Sequence, residues 1–269
     1  MGILNVTPDS FADGGGRFEP AAAIAAALEM ALAGADVIDI GGESTRPGAD
    51  PLPVDEEWRR IEPVLQGLCG RLDMPVSVDT YKAAVADRAI ALGAVMVNDV
   101  SALTLDPEMA GVVARRAVPV VLMHARGRSR DMYARAQYGD VVAEVTAELA
   151  DRVRAAEAAG IPRSQIVVDP GLGFAKRAEH SLAMLAGLPR LATLGCPILV
   201  GPSRKSFLTA AIGDVPAAGR AWGTAAAVAA AVLLGAHIVR IHDVAEMVQV
   251  VRVADAVRGA QSSSSIEPA

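Results

Sequence analysis

The sequence predicts an α/β fold, a closed (β/α)8 barrel of the TIM type in a single domain, and three observations predict it. The chain has 269 residues, close to the roughly 250 of an eightfold β/α barrel, which forms one domain despite its size. Eight short apolar runs recur at fairly even spacing, at residues 3–6, 37–40, 76–78, 95–97, 118–123, 166–168, 198–200 and 238–241. Most are separated by longer Ala-rich, charge-flecked segments of helical period, such as 21–33, 55–72 and 140–159, and strands alternating with helices build a parallel sheet.

The core must come from small branched side chains, because hydrophobic residues make up 52% of the chain and aromatics only 3%. That composition suits the packed interior of a parallel barrel. Three helix-to-strand joints share one wording: Gly34-Ala35-Asp36-Val37-Ile38-Asp39, Gly93-Ala94-Val95-Met96-Val97-Asn98 and Gly235-Ala236-His237-Ile238-Val239-Arg240. Each reads as a glycine helix stop, a buried strand and then a polar residue. Gly and Pro clusters at 13–16, 47–53 and 201–202 fall where strands hand over to helices and read as active-site loops. Residues 1–260 are thus expected to form one barrel domain, and the Ser-rich 261–269 a disordered tail.

The formal charge of −6 offers no broad positive surface, which argues against nucleic acid and against an anionic membrane face. A small phosphorylated ligand needs only a few local cations and stays open. Cys69 and Cys196 stand in no Cys-x-x-Cys spacing, so neither a disulfide framework nor a zinc site is suggested. No basic-then-apolar leader opens the chain, and the longest apolar stretch, 224–234, is shorter than the roughly 20 residues of a membrane span. A reducing cytoplasm is the expected setting.

Chemistry in a β/α barrel sits at the C-terminal strand ends, so the polar residue after each apolar run carries the functional information. These are Asn5, Asp39, Asp79, Asn98, His124, Asp169, Ser203-Arg204-Lys205, Arg240 and His242. Any one alone is explained as a cap or turn former. Together they are a ring of acids, amides and cations on one rim. Asp79 and Asp169 directly follow Val78 and Val168, so both carboxylates are expected in the mouth beside Asn98. Carboxylates grip a ring edge rich in N–H donors strongly and selectively, which predicts a polar, planar heterocycle. The alternative, a structural ion pair with Lys205 or Arg240, fits one aspartate more readily than both.

Ser203-Arg204-Lys205 and Arg240-Ile241-His242 follow the last two strands, where such barrels often build phosphate sites. Solvated surface charge is the usual fate of Lys and Arg, but the apolar runs just before each motif favour phosphate or ring contact. The loops after the first two strands, from Asn5 to Gly16 and from Gly41 to Gly48, mix glycine with polar side chains and could close over a reaction.

These segments, Gly2-Ile3-Leu4-Asn5-Val6-Thr7-Pro8-Asp9-Ser10-Phe11, Gly41-Gly42-Glu43-Ser44-Thr45-Arg46-Pro47-Gly48, Asn98-Asp99-Val100-Ser101, Asp169-Pro170-Gly171-Leu172-Gly173-Phe174, Ser203-Arg204-Lys205-Ser206 and Arg240-Ile241-His242-Asp243, resemble the signatures of the dihydropteroate synthase family over nearly the whole chain. The resemblance implies condensation of a dihydropterin methyl diphosphate with 4-aminobenzoate, with Mg2+ present, in a cytoplasmic homodimer. It implies that Asp79, Asn98, Asp169 and Lys205 hold the pterin, with Arg240 against its ring. Asn5 would ligate the magnesium, and Asn5, Thr45, Arg46, Arg240 and His242 would receive the diphosphate. Phe11, Thr45, Pro47, Gly173, Phe174, Lys205 and Ser206 would line the aminobenzoate slot. Asn5, Arg46, Lys205, Arg240 and His242 would be the catalytic set.

Two segments depart from the family pattern. After His124 the chain reads Ala125-Arg126-Gly127-Arg128-Ser129 where many members have Gly-Thr-Pro, and Phe174-Ala175-Lys176-Arg177 replaces a commoner Phe-Gly-Lys-Thr. A methyltransferase barrel serving a corrinoid partner would account for Asp79, Asn98 and Asp169, but not for the paired loops or Ser203-Arg204-Lys205. A non-catalytic pterin carrier would bind the ring without turnover.

Overall fold

The computed structural model describes residues 1–7, 19–45, 48–71 and 73–263, with side chains to residue 260. Strands and helices alternate along it. The strands are β1 (Gly2–Asn5), β2 (Ile38–Gly41), β3 (Val76–Asp79), β4 (Met96–Asp99), β5 (Val120–Met123), β6 (Ile166–Asp169), β7 (Leu199–Val200) and β8 (Ile238–Val239). The helices are α1 (Pro20–Leu32), α2 (Val54–Leu68), α3 (Ala83–Ala91), α4 (Met109–Arg116), α5 (Val141–Ala158), α6 (Ala178–Ala186), the single turns α7 (Leu188–Leu191) and α8 (Thr209–Ile212), then α9 (Ala221–Leu233) and α10 (Val244–Ser263).

β1 to β6 pair in sequence order, and β7 pairs with β8. Parallel bridges Val168↔Ile198 and Gly2↔Ile241 join the two sheets at both edges, so the strands close into the expected barrel. The repeated joint explains much of the regularity. Gly34, Gly93 and Gly235 all take φ near +100° (99°, 111° and 98°), and the alanine after each donates to a carbonyl five residues back: Ala35 to Met30 (2.9 Å), Ala94 to Ala89 (3.0 Å) and Ala236 to Ala231 (2.9 Å). This is the Schellman closure, which needs a residue that tolerates the left-handed region. Each helix is thereby stopped at a fixed distance from the next strand.

Both strand faces are apolar, as a sheet covered on each side requires. Leu4, Ile38, Ile40, Val78, Val97, Leu122 and Val168 pack outward into one large core with Ile61, Leu65, Val85 and Leu149 of the helices. The alternate residues Met1, Val121, Val167 and Leu199, backed by Val37, Met96 and Ile238, form a second small cluster inside the barrel. That cluster is an apolar floor beneath the polar strand ends.

Boundaries shift modestly from the sequence reading. The run 118–123 is strand only from Val120, and the run 238–241 only to Val239, with Ile241 beyond it in the single bridge to Gly2. α2 stops at Leu68, where Cys69 turns extended and Gly70 takes φ +74°. α10 runs to Ser263, three residues into the stretch read as tail. Among the described residues no helix is long and apolar enough to cross a membrane.

Candidate active site

The three joints end in Asp39, Asn98 and Arg240, and the strands carry all three into the barrel lumen, where they meet. Asn98 Nδ2 donates to Asp39 Oδ2 at 2.9 Å. Arg240 Nε donates to the same oxygen at 2.6 Å, and its Nη2 reaches Asp79 Oδ2 at 2.8 Å. β2, β4 and β8 are alternate strands, and alternate strands contribute side chains to a common layer of such a barrel. The Asp39 side chain is fully buried, and its Oδ1 has no hydrogen-bond partner among the described residues.

Across the mouth, Asp169 ends β6 and accepts a hydrogen bond from the Gly171 amide at 2.7 Å. Gly171 has φ +65°, and a Cβ there would lie 2.0 Å from the His124 carbonyl oxygen, so no other residue fits this turn. The turn presents Leu172, Gly173 and Phe174 to Lys205. Lys205 Nζ donates to the Leu172 carbonyl at 2.5 Å and sits 4.7 Å from the centroid of the Phe174 ring. A Cβ on Gly173 would be 3.4 Å from Lys205 Cδ, so the lysine stem packs on that glycine.

Burial unsettles the charges of the mouth. It pushes the Asp79 carboxyl up to about 7 against the pull of Arg240, and it raises Asp169 against the pull of Lys205. Desolvation draws the Lys205 ammonium down to about 8 although Asp169 favours its charge. Burial also works against the Arg240 guanidinium, but Asp39 and Asp79 hold it above the ordinary arginine value. Groups displaced this far, set in one concave mouth, mark a functional site.

The expected site residues mostly converge. Asp79, Asn98, Asp169, Lys205 and Arg240 share the lumen, with Gly173 and Phe174 beside Lys205. Asn5 closes β1 opposite Gly41 of β2. His242 is oriented by Ser203, whose hydroxyl lies 2.9 Å from Nδ1. Ser206 is exposed next to Lys205. Thr45 follows β2, and its carbonyl accepts from Ser129 Oγ at 3.4 Å. Phe11, Arg46 and Pro47 lie outside the described residues.

Three strand-end residues serve the scaffold instead. His124 turns out of the lumen, with Nε2 3.0 Å from Glu148 of α5 and Nδ1 2.8 Å from Lys176 Nζ. Arg204, expected to face the ligand, pairs through Nε with Asp243 at 3.0 Å. Asp99 binds the Ser101 and Leu103 amides of its own turn at 2.7 and 2.9 Å. Sequence reasoning places Asp39 on the rim but gives it no specific contact, although it occupies the same place in the shared joint as Asn98 and Arg240. Lys176, 1% exposed, also went unassigned. It donates to the Phe174 carbonyl at 3.1 Å, and burial pulls its pKa down to about 7 against the pull of Asp169.

Comparison with known proteins agrees with this geometry. The pterin binding enzyme family matches residues 1–242. The dihydropteroate synthase of Synechocystis sp. is 46% identical over 256 residues, covering 95% of this chain and 89% of that one. The Xanthomonas albilineans dihydropteroate synthase solved with 4-aminobenzoic acid aligns with a TM-score of 0.90 at 47% identity, over 96% of this chain and 92% of that one. A structure from the same organism in complex with 7,8-dihydropteroate gives a TM-score of 0.86 at 44% identity, with the same coverage. The chain belongs to the pterin binding enzyme family, and within it to the dihydropteroate synthases.

Proposed function

We propose that this protein condenses a (7,8-dihydropterin-6-yl)methyl diphosphate with 4-aminobenzoate, giving 7,8-dihydropteroate and diphosphate in folate biosynthesis. The observation that carries the reading is the convergence of Asp79, Asn98, Asp169 and Lys205 on one barrel mouth in a chain of this family.

The pterin edge, rich in N–H donors, is assigned to Asp169, Asp79 and Asn98, since charge-assisted bonds to carboxylates are strong and directional. Lys205 and Phe174, already in cation–π contact, form the wall between ring and amine, with Gly173, Ser206, Thr45, Phe11 and Pro47 completing the aminobenzoate slot. The diphosphate is assigned to Thr45, Arg46, Arg240 and His242. As the methylene C–O bond breaks, negative charge grows on the diphosphate beside these cations, the usual electrostatic route to a lower barrier. The positive charge left on the methylene spreads into the ring and is favoured by the nearby carboxylates. The amine nitrogen then forms the C–N bond and loses its proton to solvent. No strong general base is required, so the reaction is a dissociative substitution in which the protein positions and neutralises.

Asn5 is assigned to a magnesium ion held mainly by the diphosphate. Its amide oxygen is the hard donor this ion accepts, and magnesium completes its shell with water and substrate phosphate rather than an all-protein cage. When bound, it supplies further charge neutralisation at the leaving group. Pairing into a homodimer is assigned to α9 and α10, which expose Trp222, Leu233, Val253 and Val257, and the cytoplasm is the proposed setting.

The test is diphosphate release. It should require the pterin diphosphate, 4-aminobenzoate and magnesium together. Well-folded protein that releases none, or that releases it without the amine, would remove the reading.

A further inference from the structure

Lys82, which precedes α3, is 8% exposed, and among the described residues its ammonium bonds to none of the lumen side chains above. Its ammonium instead bridges two carboxylates, Glu43 and Glu57. Glu43 stands where the chain leaves β2, and Glu57 lies in the first turn of α2, so the lysine spans both ends of the β2–α2 loop. The Glu43 carboxylate also accepts from the Leu52 amide at 2.9 Å and from the Tyr81 hydroxyl at 2.9 Å. One carboxylate therefore ties residue 43 to residue 52 and both to the start of α3. The side chains of Lys82, Glu43 and Glu57 are only 10%, 9% and 1% exposed.

Burying two acids and one base is a costly way to fasten a loop, since apolar side chains of similar size would often hold it as well or better. What the charged arrangement adds is direction, because each bond has a preferred angle and partner. Farther out the same loop meets the β5–α5 connection, where the Gly48 amide donates to the Ser129 carbonyl at 2.9 Å and Arg130 pairs with Asp50. That outer contact is exposed, and exposed pairs hold little. Fixing the loop falls to the buried clasp.

We propose that Lys82 and Glu43 are positioning residues for the second half of the reaction. The Glu43–Lys82–Glu57 clasp sets both ends of the loop that carries Thr45, Arg46 and Pro47, so amine capture and diphosphate departure depend on it while ring binding does not. This rests on the reading under Proposed function, which assigns those three residues to the diphosphate and the aminobenzoate.

The experiment compares Lys82→Met, Lys82→Arg and Glu43→Gln with the wild type. Steady-state diphosphate release is measured alongside equilibrium binding of the hydroxymethyl dihydropterin that lacks the diphosphate. Lys82→Met should lower kcat/KM for 4-aminobenzoate by about tenfold or more, because small misplacements of positioning groups are that costly. Its pterin affinity should change far less than its turnover, because the clasp's hydrogen bonds end on the loop and on Tyr81 rather than on the ring pocket. Lys82→Arg should recover most of the loss, since a guanidinium also bridges two carboxylates. A wild type without diphosphate release would sink the functional reading and the clasp inference with it. An active wild type with unchanged kcat/KM in Lys82→Met, or with ring affinity falling in step with turnover, would overturn the clasp inference alone. If Lys82→Met does not fold, Glu43→Gln, which keeps an acceptor for the Leu52 amide, is judged by the same criteria.

Discussion

Asp79 and Asp169 end two strands of one barrel and share one lumen, yet they are satisfied in opposite ways. Asp79 is engaged by the Arg240 guanidinium at 2.8 Å, alongside Asp39. Among the described residues Asp169 has a single donor, the Gly171 amide, while the nearby Lys205 ammonium is directed to the Leu172 carbonyl. The β2–β3–β4–β8 side is thus an internally neutralised network, and the β6–β7 side keeps acceptor capacity for a ligand. Burial raises the pKa of both carboxyls, but among the described residues the first alone has a side-chain cation bonded to it. The lesson is that two acids with the same sequence signature differ in what they keep for the ring: one is already drawn into the network that holds the mouth together, and the other keeps more of its accepting capacity.

The largest expected effect breaks the neutralised side. Arg240→Met would leave Asp39 and Asp79 facing each other without their cation, and removing one partner of a buried pair costs about 3–5 kcal/mol. Denaturant unfolding at pH 8 should show a loss of that order. The loss should shrink toward pH 6, where Asp79 takes up a proton. A loss below about 1 kcal/mol, the value typical of surface pairs, would show that the network is not what holds this side.

A smaller effect sharpens the comparison through pH. The folded pKa of Asp79 lies at about 7, above its ordinary 3.8, so between those values the folded state holds a proton that the unfolded state has released. Stability from this group is therefore full below the unfolded pKa and is lost as pH rises through the folded one. Asp79→Asn cannot pay that penalty. Its Tm relative to wild type should climb from pH 5 to pH 8 and level off above. A difference that stays flat or falls would contradict the raised pKa and the burial behind it.

The smallest effect lies on the Asp169 side. Ala175 takes φ +47° and is fully buried, a conformation that favours glycine. The left-handed region strains a residue with a Cβ, but glycine also loosens the unfolded chain. Ala175→Gly should therefore change stability by only about 0.5 kcal/mol, against those opposing terms. A change above about 2 kcal/mol in either direction would mean that the methyl packing, not the backbone, sets this loop.

The barrel was legible because its signals are local. Gly34, Gly93 and Gly235 announce helix stops within six residues of sequence, and β2, β5 and β6 are buried on both faces. The pterin-facing set was legible for the same reason, as Asp79, Asn98 and Asp169 each end a run. Asp39 stood in the shared joint beside Asn98 and Arg240 in register, but an aspartate at a strand end also reads as a turn former. Position alone did not tell outward from inward either, since His124 follows β5 as Asp79 follows Val78, yet bonds to α5. The Glu43–Lys82–Glu57 clasp joins residues 39 and 25 positions apart, and contacts at that separation leave no periodic trace. Arg204 was misread because its partner, Asp243, belongs to a different motif.

The division between the two aspartates is tested most directly by titrating the hydroxymethyl dihydropterin into wild type, Asp169→Asn and Asp79→Asn and comparing Kd. Asp169→Asn is expected to weaken binding by about 1–3 kcal/mol, the cost of an imperfectly met polar group, and Asp79→Asn by less, because Arg240 already engages that carboxylate. Unchanged affinity in Asp169→Asn, or a larger loss in Asp79→Asn than in Asp169→Asn, would contradict the account.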